Sequence, residues 1–150
     1  MKLSELCSYL NEYNTFDFIE KEICGITHDS RNVKADYIFV AIKGYKLDGH
    51  NFVNSSIEKG AVAIVSERRV ETSKTVPQIV VNNTRLALAF MSRQFFGDPS
   101  SRMTITGITG TNGKTTTSYF TKSIIEASGY EAGLIGTIQY QIGSRIIPAQ

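Results

Sequence analysis

The stretch ITGITGTNGKTTT, residues 105–117, organises the interpretation of this chain. It opens on a β-branched run that predicts a buried strand. Gly110 and Gly113 break the run, and the segment after them predicts a helix that ends before Gly129. That helix carries apolar residues along one face, at Phe120, Ile124 and Ala127. Strand, glycine loop, Lys-Thr and helix in this order are typical of a site for nucleotide phosphates.

The loop residues have the chemistry that a phosphate site needs. Glycines let the backbone approach an anion closely, and the N–H groups of the loop and of the first helical turn then point towards it. Lys114 is placed to neutralise phosphate charge, and the Thr115 hydroxyl is placed to bind Mg²⁺. We therefore predict Lys114 as a catalytic residue, Thr115 as a metal ligand and a nucleotide-binding loop formed by Gly110, Thr111, Asn112, Gly113, Lys114, Thr115 and Thr116.

The loop departs from the general P-loop pattern at one position. That pattern has a glycine where Ile108 stands, so this loop is a shortened variant. The alternative is an ordinary glycine–asparagine turn with a solvated lysine. It leaves unexplained why a strand, a helix, paired glycines and Lys-Thr occur together, and we favour the phosphate site.

Composition limits the class of protein. The 150 residues are 41% hydrophobic and 20% charged, which is enough apolar sequence for a folded core. The net charge is +2 with no basic half, so nucleic-acid binding through phosphate neutralisation is not expected. No run has membrane-spanning length and no leader pattern is visible, so we expect a cytoplasmic protein without a membrane partner. The cysteines and histidines lack metal-ligand spacing, and we expect Cys7 and Cys24 to be free, buried thiols.

The first hundred residues alternate strands with helices. Ser4 is a candidate N-cap for an opening helix, whose apolar face would be formed by Leu3, Leu6, Leu10 and Tyr13. Buried strands are predicted at residues 23–27, 37–42, 61–65 and 78–81. Helices are predicted at residues 52–59 and from Asn83 or Thr84 onwards, the second one with core residues Leu86, Ala89, Phe90 and Phe96. This alternation predicts a small, mainly parallel, Rossmann-like α/β domain.

The domain boundary is predicted at Gly97, because Gly97 and Pro99 interrupt the helix that precedes them. Residues 1–97 would form the first domain, and residues 98–150 would begin a P-loop ATPase-like domain. After the phosphate loop and its helix, a strand at 133–137 and a hairpin turning at Gly143 and Ser144 are predicted. So few elements do not close a P-loop sheet, and we expect the chain to be the N-terminal part of a longer protein.

Two polar loops follow predicted strands. His28-Asp29-Ser30-Arg31 comes after the first strand, and Lys43-Gly44-Tyr45-Lys46-Leu47 comes after the second. Strand ends are where α/β proteins place ligand contacts. Local chemistry alone favours a solvated turn for the first loop and leaves the second open between a turn and a nucleotide contact.

Several motifs together resemble the Mur ligases, which extend the peptidoglycan stem peptide. They are Asp29-Ser30-Arg31, FVAIKG at 39–44, Asp48-Gly49-His50, GAVAIV at 60–65 and the loop GITGTNGKTT at 107–116. The sequence GLIGT at 133–137 is similar to the branch of this family that adds the third residue to UDP-N-acetylmuramoyl-L-alanyl-D-glutamate. The resemblance covers nearly all of the chain.

The resemblance implies an ATP- and Mg²⁺-dependent amide ligase that acts in the cytoplasm as a monomer. Its substrates would be UDP-N-acetylmuramoyl-L-alanyl-D-glutamate and a diamino acid, either meso-diaminopimelate or L-lysine, joined through an acyl phosphate. By motif match, residues 1–97 would bind the uridine nucleotide through His28, Ser30, Tyr45, Lys46 and Leu47. The family's second metal site and amino-acid site are expected beyond Gln150, so we expect residues 1–150 alone to be inactive.

Three alternatives remain. The sister ligase that adds the D-alanyl-D-alanine dipeptide shares the Asp-Ser-Arg and Asp-Gly-His motifs, although Thr111-Asn112 and residues 133–137 argue against it. A non-catalytic nucleotide-binding module is the second. The third is a P-loop NTPase that couples hydrolysis to motion, which would need an acidic Mg²⁺ motif that the sequence does not display.

Overall fold

The computed structural model describes residues 1–149. The chain forms two compact units, Met1–Met103 and Thr104–Gln150. The first unit includes a short 3-10 helix, Pro99–Arg102, which lies beyond the domain boundary predicted at Gly97. The roles assigned to residues 1–97 and 98–150 stay predictions.

The first unit is built on a five-stranded sheet. Its strands are β1 (Tyr13–Phe16), β2 (Gly25–Thr27), β3 (Tyr37–Val40), β4 (Ala61–Ser66) and β5 (Gln78–Val81). They lie in the order β1-β5-β4-β3-β2, with β2 to β5 parallel and β1 antiparallel to β5. The prediction of a small, mainly parallel α/β domain is confirmed.

Helices cover both faces of this sheet. They are α1 (Leu3–Cys7), a 3-10 helix (Gly49–Phe52) that leads into α2 (Val53–Glu58), and α3 (Thr84–Phe95). Side chains alternate along each strand, so Ile38 and Val40 join one core with α1 and α3. Phe39 joins the second core with α2. Burial on both faces explains why the strands are continuous apolar runs in the sequence.

Two expectations about the N-terminus are wrong. Lys2, and not Ser4, is the N-cap of α1, and Ser4 lies inside the helix with its amide donating to Glu20 at 3.1 Å. Tyr13 does not continue the helix, because it opens β1 opposite Val81. The helix ends at Cys7, and the chain pairs with β5 only from Tyr13 onwards.

The apolar face predicted for α3 is also wrong. Leu86 and Phe96 are 50% and 65% exposed, and Ala89 is exposed as well. The buried residues lie on a different face, at Thr84, Ala87 and Met91. Of the two free cysteines, Cys7 is buried as expected, whereas Cys24 is exposed.

The second unit contains one helix and a small sheet. Helix α4 (Lys114–Ala127) ends before Gly129, which has a positive φ of 86°, as the sequence predicts. Strands β6 (Leu134–Ile135), β7 (Gln139–Ile142) and β8 (Arg145–Pro148) form an antiparallel sheet in sequence order. The predicted hairpin is confirmed, with Gly143 at φ 56° in its turn.

The strand predicted before the phosphate loop is not formed. Residues 104–110 have no strand pairing, and Ile105 is 70% exposed. A strand needs a hydrogen-bonded neighbour, and the described residues of the second unit pair only among β6, β7 and β8. Within residues 1–149, no helix has the length and apolar character needed to cross a membrane.

Candidate functional site

In the first unit, the candidate binding residues lie at one edge of the sheet, the edge formed by the carboxyl ends of the parallel strands. Strands β2 and β3 are parallel neighbours, so the loops that follow them leave from the same edge. His28 and Ser30 follow β2, and Tyr45, Lys46 and Leu47 follow β3. The fold therefore brings together the two loops that the sequence leaves separate. Ligands of open α/β sheets bind at this edge.

The loop after β2 is a turn organised by Asp29. Its carboxylate accepts hydrogen bonds from the Arg31 guanidinium, at 2.7 to 3.1 Å, and from the Arg31 amide at 2.9 Å. These hydrogen bonds lower the pKa of Asp29 to about 2, so the group stays charged. The Lys59 ammonium donates to the Ser30 carbonyl at 2.8 Å. Ser30 is thus held from both sides, while His28 is exposed.

The loop after β3 presents exposed side chains. Tyr45 is fully exposed and Leu47 is 67% exposed, and Lys46 is exposed between them. The ends of the loop are tied, because the Gly44 amide donates to the Leu47 carbonyl at 2.8 Å. On the side of α3, the Arg85 guanidinium donates to the Lys43 carbonyl at 3.1 Å. The segment after β3 therefore forms a closed loop, and its three exposed side chains are available to a ligand.

Asp48-Gly49-His50 closes this loop, and its contacts are not apparent from the sequence. The Gly49 amide donates to the Ile42 carbonyl at 2.9 Å, and a Cβ on Gly49 would lie 2.6 Å from that same oxygen. Asp48 accepts hydrogen bonds from the backbone amide and the ring Nδ1 of His50, which lower its pKa to about 2. The Glu67 amide donates to the other ring nitrogen of His50 at 3.2 Å.

The hydrogen bonds that link Asp48, His50 and Glu67 continue to the start of α3. Both the amide and the hydroxyl of Thr84 donate to the Glu67 carboxylate, at 3.2 and 3.0 Å. Thr84 is completely buried, whereas Glu67 is exposed, so this carboxylate supplies a polar partner to a buried hydroxyl. Residues that follow β3, β4 and β5 are therefore connected by side-chain hydrogen bonds along the edge where His28 and Ser30 lie.

The phosphate loop lies in the second unit. Gly110 and Gly113 have φ angles of 153° and 77°, values in the region that favours glycine. Gly113 is the N-cap of α4 and has no side chain to cap it, and the Thr117 amide is the one that bonds back to the Gly113 carbonyl. The amides of Lys114, Thr115 and Thr116 therefore have no partner within the helix.

Lys114 closes over this loop. Its ammonium donates to the Gly110 carbonyl at 2.6 Å and lies 3.4 Å from the Thr111 carbonyl. The positive charge is thus held on the same turn as the free helix amides and the hydroxyls of Thr115 and Thr116. Asn112 and the rest of the loop are exposed, apart from the half-buried Thr115. A donor set of ammonium, amides and hydroxyls suits a polyphosphate.

Comparison with known proteins assigns the family. The family description "Mur ligase family, catalytic domain" matches residues 22–96, and "Mur ligase middle domain" matches residues 108–149. The chain belongs to the Mur ligase family. The two matches fall on the two compact units, and the first includes both loops at the sheet edge while the second includes the phosphate loop.

Curated Mur ligases align over most of the chain. The UDP-N-acetylmuramoyl-L-alanyl-D-glutamate–2,6-diaminopimelate ligase of Aquifex aeolicus is 49% identical over 135 residues, covering 90% of this chain and 28% of that protein. The ligase of the same name from Clostridium tetani is 46% identical over 154 residues, covering 100% of this chain and 32% of that protein. The chain therefore spans less than a third of the length of these relatives.

Solved Mur ligase structures share the fold. MurF from Acinetobacter baumannii is 29% identical with a TM-score of 0.61, over 83% of this chain and 27% of that one. MurF from Thermotoga maritima in complex with ADP is 31% identical with a TM-score of 0.51, over 68% of this chain and 23% of that one. A 2,6-diaminopimelate ligase structure at 24% identity, with a TM-score of 0.64 over 84% of this chain and 26% of that one, supports the fold alone.

Proposed function

We propose that this chain is part of an ATP-dependent amide ligase that adds a diamino acid to UDP-N-acetylmuramoyl-L-alanyl-D-glutamate in the cytoplasm. The observation that carries the proposal is the sequence identity of 46–49% to ligases named for this substrate, over 90–100% of the chain. The names of those relatives favour 2,6-diaminopimelate as the amino acid, and L-lysine is the alternative. The protein would act as a monomer.

The first unit would bind the uridine nucleotide at its sheet edge. The turn at Ser30 is held by the Asp29–Arg31 ion pair on one side and by Lys59 on the other, so its polar groups are oriented before a ligand arrives. Such preorganisation lowers the ordering cost of binding. Tyr45 and Leu47 would cover the base or sugar with apolar surface, and Lys46 would meet the diphosphate.

The second unit would bind the phosphates of ATP. When bound, ATP supplies the phosphoryl group that activates the D-glutamate side-chain carboxyl for attack by the amine. Lys114 would leave its two carbonyl acceptors and neutralise phosphate charge, and the free amides at the start of α4 would hold phosphate oxygens. These roles fit the donor set described above.

Thr115 would supply one oxygen ligand to Mg²⁺. Among the described residues, no group of three or more His, Cys, Asp or Glu side chains is placed to hold a metal ion. Phosphate oxygens and water would therefore complete the Mg²⁺ coordination on this part of the chain, which is the usual arrangement when a nucleotide carries the ion.

The D-alanyl-D-alanine ligase is the second candidate. Its support is the structural similarity to MurF, at 29–31% identity. The two candidates differ in the peptide attached to the nucleotide, so titration with the dipeptide and the tripeptide forms of the UDP-N-acetylmuramoyl substrate separates them. Tighter binding of the tripeptide form would favour the MurF activity.

Calorimetric titration of the 150-residue chain tests the nucleotide site. We expect UDP-N-acetylmuramoyl-L-alanyl-D-glutamate to bind in preference to UDP-glucose. Ser30→Ala removes one polar contact, so the Kd should rise by about three- to tenfold. Ser8→Ala, at the C-cap of α1, is the matched control and should leave the Kd unchanged, because the Ser8 hydroxyl donates to the Glu5 carbonyl of that helix. Equal affinity of a folded chain for both nucleotides would refute the assigned substrate.

The phosphate loop is tested by displacement of a fluorescent ATP analogue. Lys114→Met should weaken ATP binding at least about tenfold, since a charge-assisted contact to phosphate is lost. Lys122→Met is the matched control, because Lys122 lies on the same helix and pairs with Glu126. Similar losses in both variants would show that Lys114 has no special role.

A further inference from the structure

His50 is the buried one of the two histidines, and both of its ring nitrogens have a partner. Its side chain is 2% exposed. Nδ1 lies 2.6 Å from Asp48 Oδ1, and Nε2 lies 3.2 Å from the backbone nitrogen of Glu67. The ring therefore connects the loop after β3 with the residue that directly follows β4.

These partners assign the tautomer of the ring. A backbone N–H only donates, so Nε2 must offer its lone pair to Glu67. A neutral imidazole without a proton on Nε2 carries it on Nδ1, which then donates to the Asp48 carboxylate. The acceptor remains available, because Asp48 stays ionised at neutral pH. A proton on Nε2 would set two donors against each other.

We propose that His50, as the neutral Nδ1–H tautomer, is a positioning residue that fixes the segment Tyr45, Lys46 and Leu47 for the nucleotide substrate. The identity of the ligand rests on the function proposed above. His50 itself would not touch the ligand, because its ring is enclosed by Asp48 and Glu67. It would act through the loop that ends at Asp48.

The path from His50 to the loop is short. Asp48 follows Leu47 directly, and its backbone pairs with Lys43 across the base of the loop. The Gly44 amide bonds to the Leu47 carbonyl within it. A shift of the Asp48 carboxylate therefore moves the base of a closed four-residue turn and, with it, the exposed side chains.

The other side of His50 is anchored. Glu67 accepts two hydrogen bonds from the buried Thr84 at the start of α3, so its backbone is fixed to a helix of the core. The Arg68 guanidinium, next in sequence, lies 3.4 Å from Asp48 Oδ2. His50 thus fixes a surface loop to a rigid part of the fold, and its two nitrogens contribute separately.

A double-mutant cycle separates positioning from general damage. We expect His50→Phe to raise the Kd for UDP-N-acetylmuramoyl-L-alanyl-D-glutamate about tenfold, because it leaves Asp48 and the Glu67 amide without their ring partners. In a Leu47→Ala background the same change should have much less effect, since the loop contact is already reduced. In a Ser30→Ala background the two effects should multiply.

Conservative variants and a core control complete the test. His50→Asn keeps a donor near Asp48, so its Kd should lie between those of the parent chain and His50→Phe, and it serves if His50→Phe does not fold. Ile57→Val, a buried change on α2, should lower stability and leave the Kd within about twofold. Equal Kd values for the parent chain and a folded His50→Phe, or multiplying effects in both backgrounds, would overturn the proposal.

Nitrogen NMR of the parent chain gives a readout that does not depend on the ligand. The His50 ring should show a protonated Nδ1 and an unprotonated Nε2 at neutral pH. A protonated Nε2 would overturn the assignment even if the nucleotide binds. Conversely, failure of the parent chain to bind the nucleotide would refute the proposed substrate while leaving this tautomer measurement to stand.

Discussion

Gly49→Ala is the change whose cost follows most directly from distances in this structure. An added Cβ would lie 2.6 Å from the carbonyl oxygen and 2.7 Å from the nitrogen of Ile42, and 3.1 Å from the carbonyl carbon of Ala41. All three are backbone atoms just past the end of β3, where the Ala41 amide still donates to the Val65 carbonyl of β4 at 2.8 Å. Because no flexible side chain can move aside, the loop must separate from the strand.

The expected loss of stability is about 2 kcal/mol, the middle of a range of about 1–4 kcal/mol set by three contributions. Separation breaks the hydrogen bond from the Gly49 amide to Ile42, which contributes about 1 kcal/mol. Displacing packed backbone costs about 1–3 kcal/mol more, as for other overpacked positions. Replacing glycine by alanine also restricts the unfolded chain, which offsets about 0.4–1 kcal/mol of the loss of stability. For a compact unit of this size, the midpoint of thermal unfolding should fall by about 10–20 °C.

Thermal unfolding followed by circular dichroism measures this loss, and calorimetry measures the nucleotide Kd of the same variant. Gly97→Ala is the matched control, because Gly97 has a positive φ of 70° and no atom within 4 Å of an added Cβ. It isolates backbone strain, expected to cost about 1 kcal/mol. A Gly49→Ala chain as stable as the parent, or no less stable than Gly97→Ala, would refute the steric reasoning.

Two further changes probe the ends of the sheet. Asp29 has a pKa of about 2 instead of 3.8, so its stabilising effect is complete above pH 3.8 and is lost as the pH falls towards 2. Urea unfolding should therefore show the parent chain more stable than Asp29→Asn at pH 6, with a difference that shrinks towards pH 2; a constant difference would contradict the charge argument. Asn83→Ala removes the N-cap that accepts from the Leu86 amide and should cost about 1 kcal/mol, whereas Asn83→Ser should cost little.

Continuous apolar runs made the interior of the sheet predictable. The sequence predicts strand β5 at residues 78–81, and the structure has it at Gln78–Val81. Strand β1 could not be found in the same way, because Tyr13 to Thr15 are exposed and the strand lies at an edge. Its stability comes from pairing with β5, which is a tertiary contact that no local pattern records.

The strand predicted before the phosphate loop is the opposite error, because here the sequence predicts a strand that the structure does not form. Residues 104–109 have strong β-propensity, yet they form no strand, because propensity needs a neighbouring strand to become structure. The helix after the loop was predicted correctly, since its hydrogen bonds are internal to α4 and need no second element.

The candidate site was predictable in its residue types but not in its connections. Glycines followed by Lys114 indicated phosphate chemistry from sequence alone. The sequence marks His50 only as part of the motif Asp48-Gly49-His50, because its partner Glu67 is distant in the chain and contributes only a backbone amide. The buried Thr84 that donates to Glu67 lies at the start of α3, and the sequence also predicts the buried face of this helix wrongly, at Leu86.

The antiparallel strand β1 has a consequence for vectorial synthesis. Tyr13 is synthesised before its partner Val81, which belongs to the strand that completes the sheet. At common translation rates the N-terminal segment waits for about 3–14 seconds before that partner exists. During this interval the segment lacks its partner strand, and when β5 is synthesised the earlier strand β1 covers its free edge. Pairing of β1 with β5 is therefore the step that completes the sheet of the first unit.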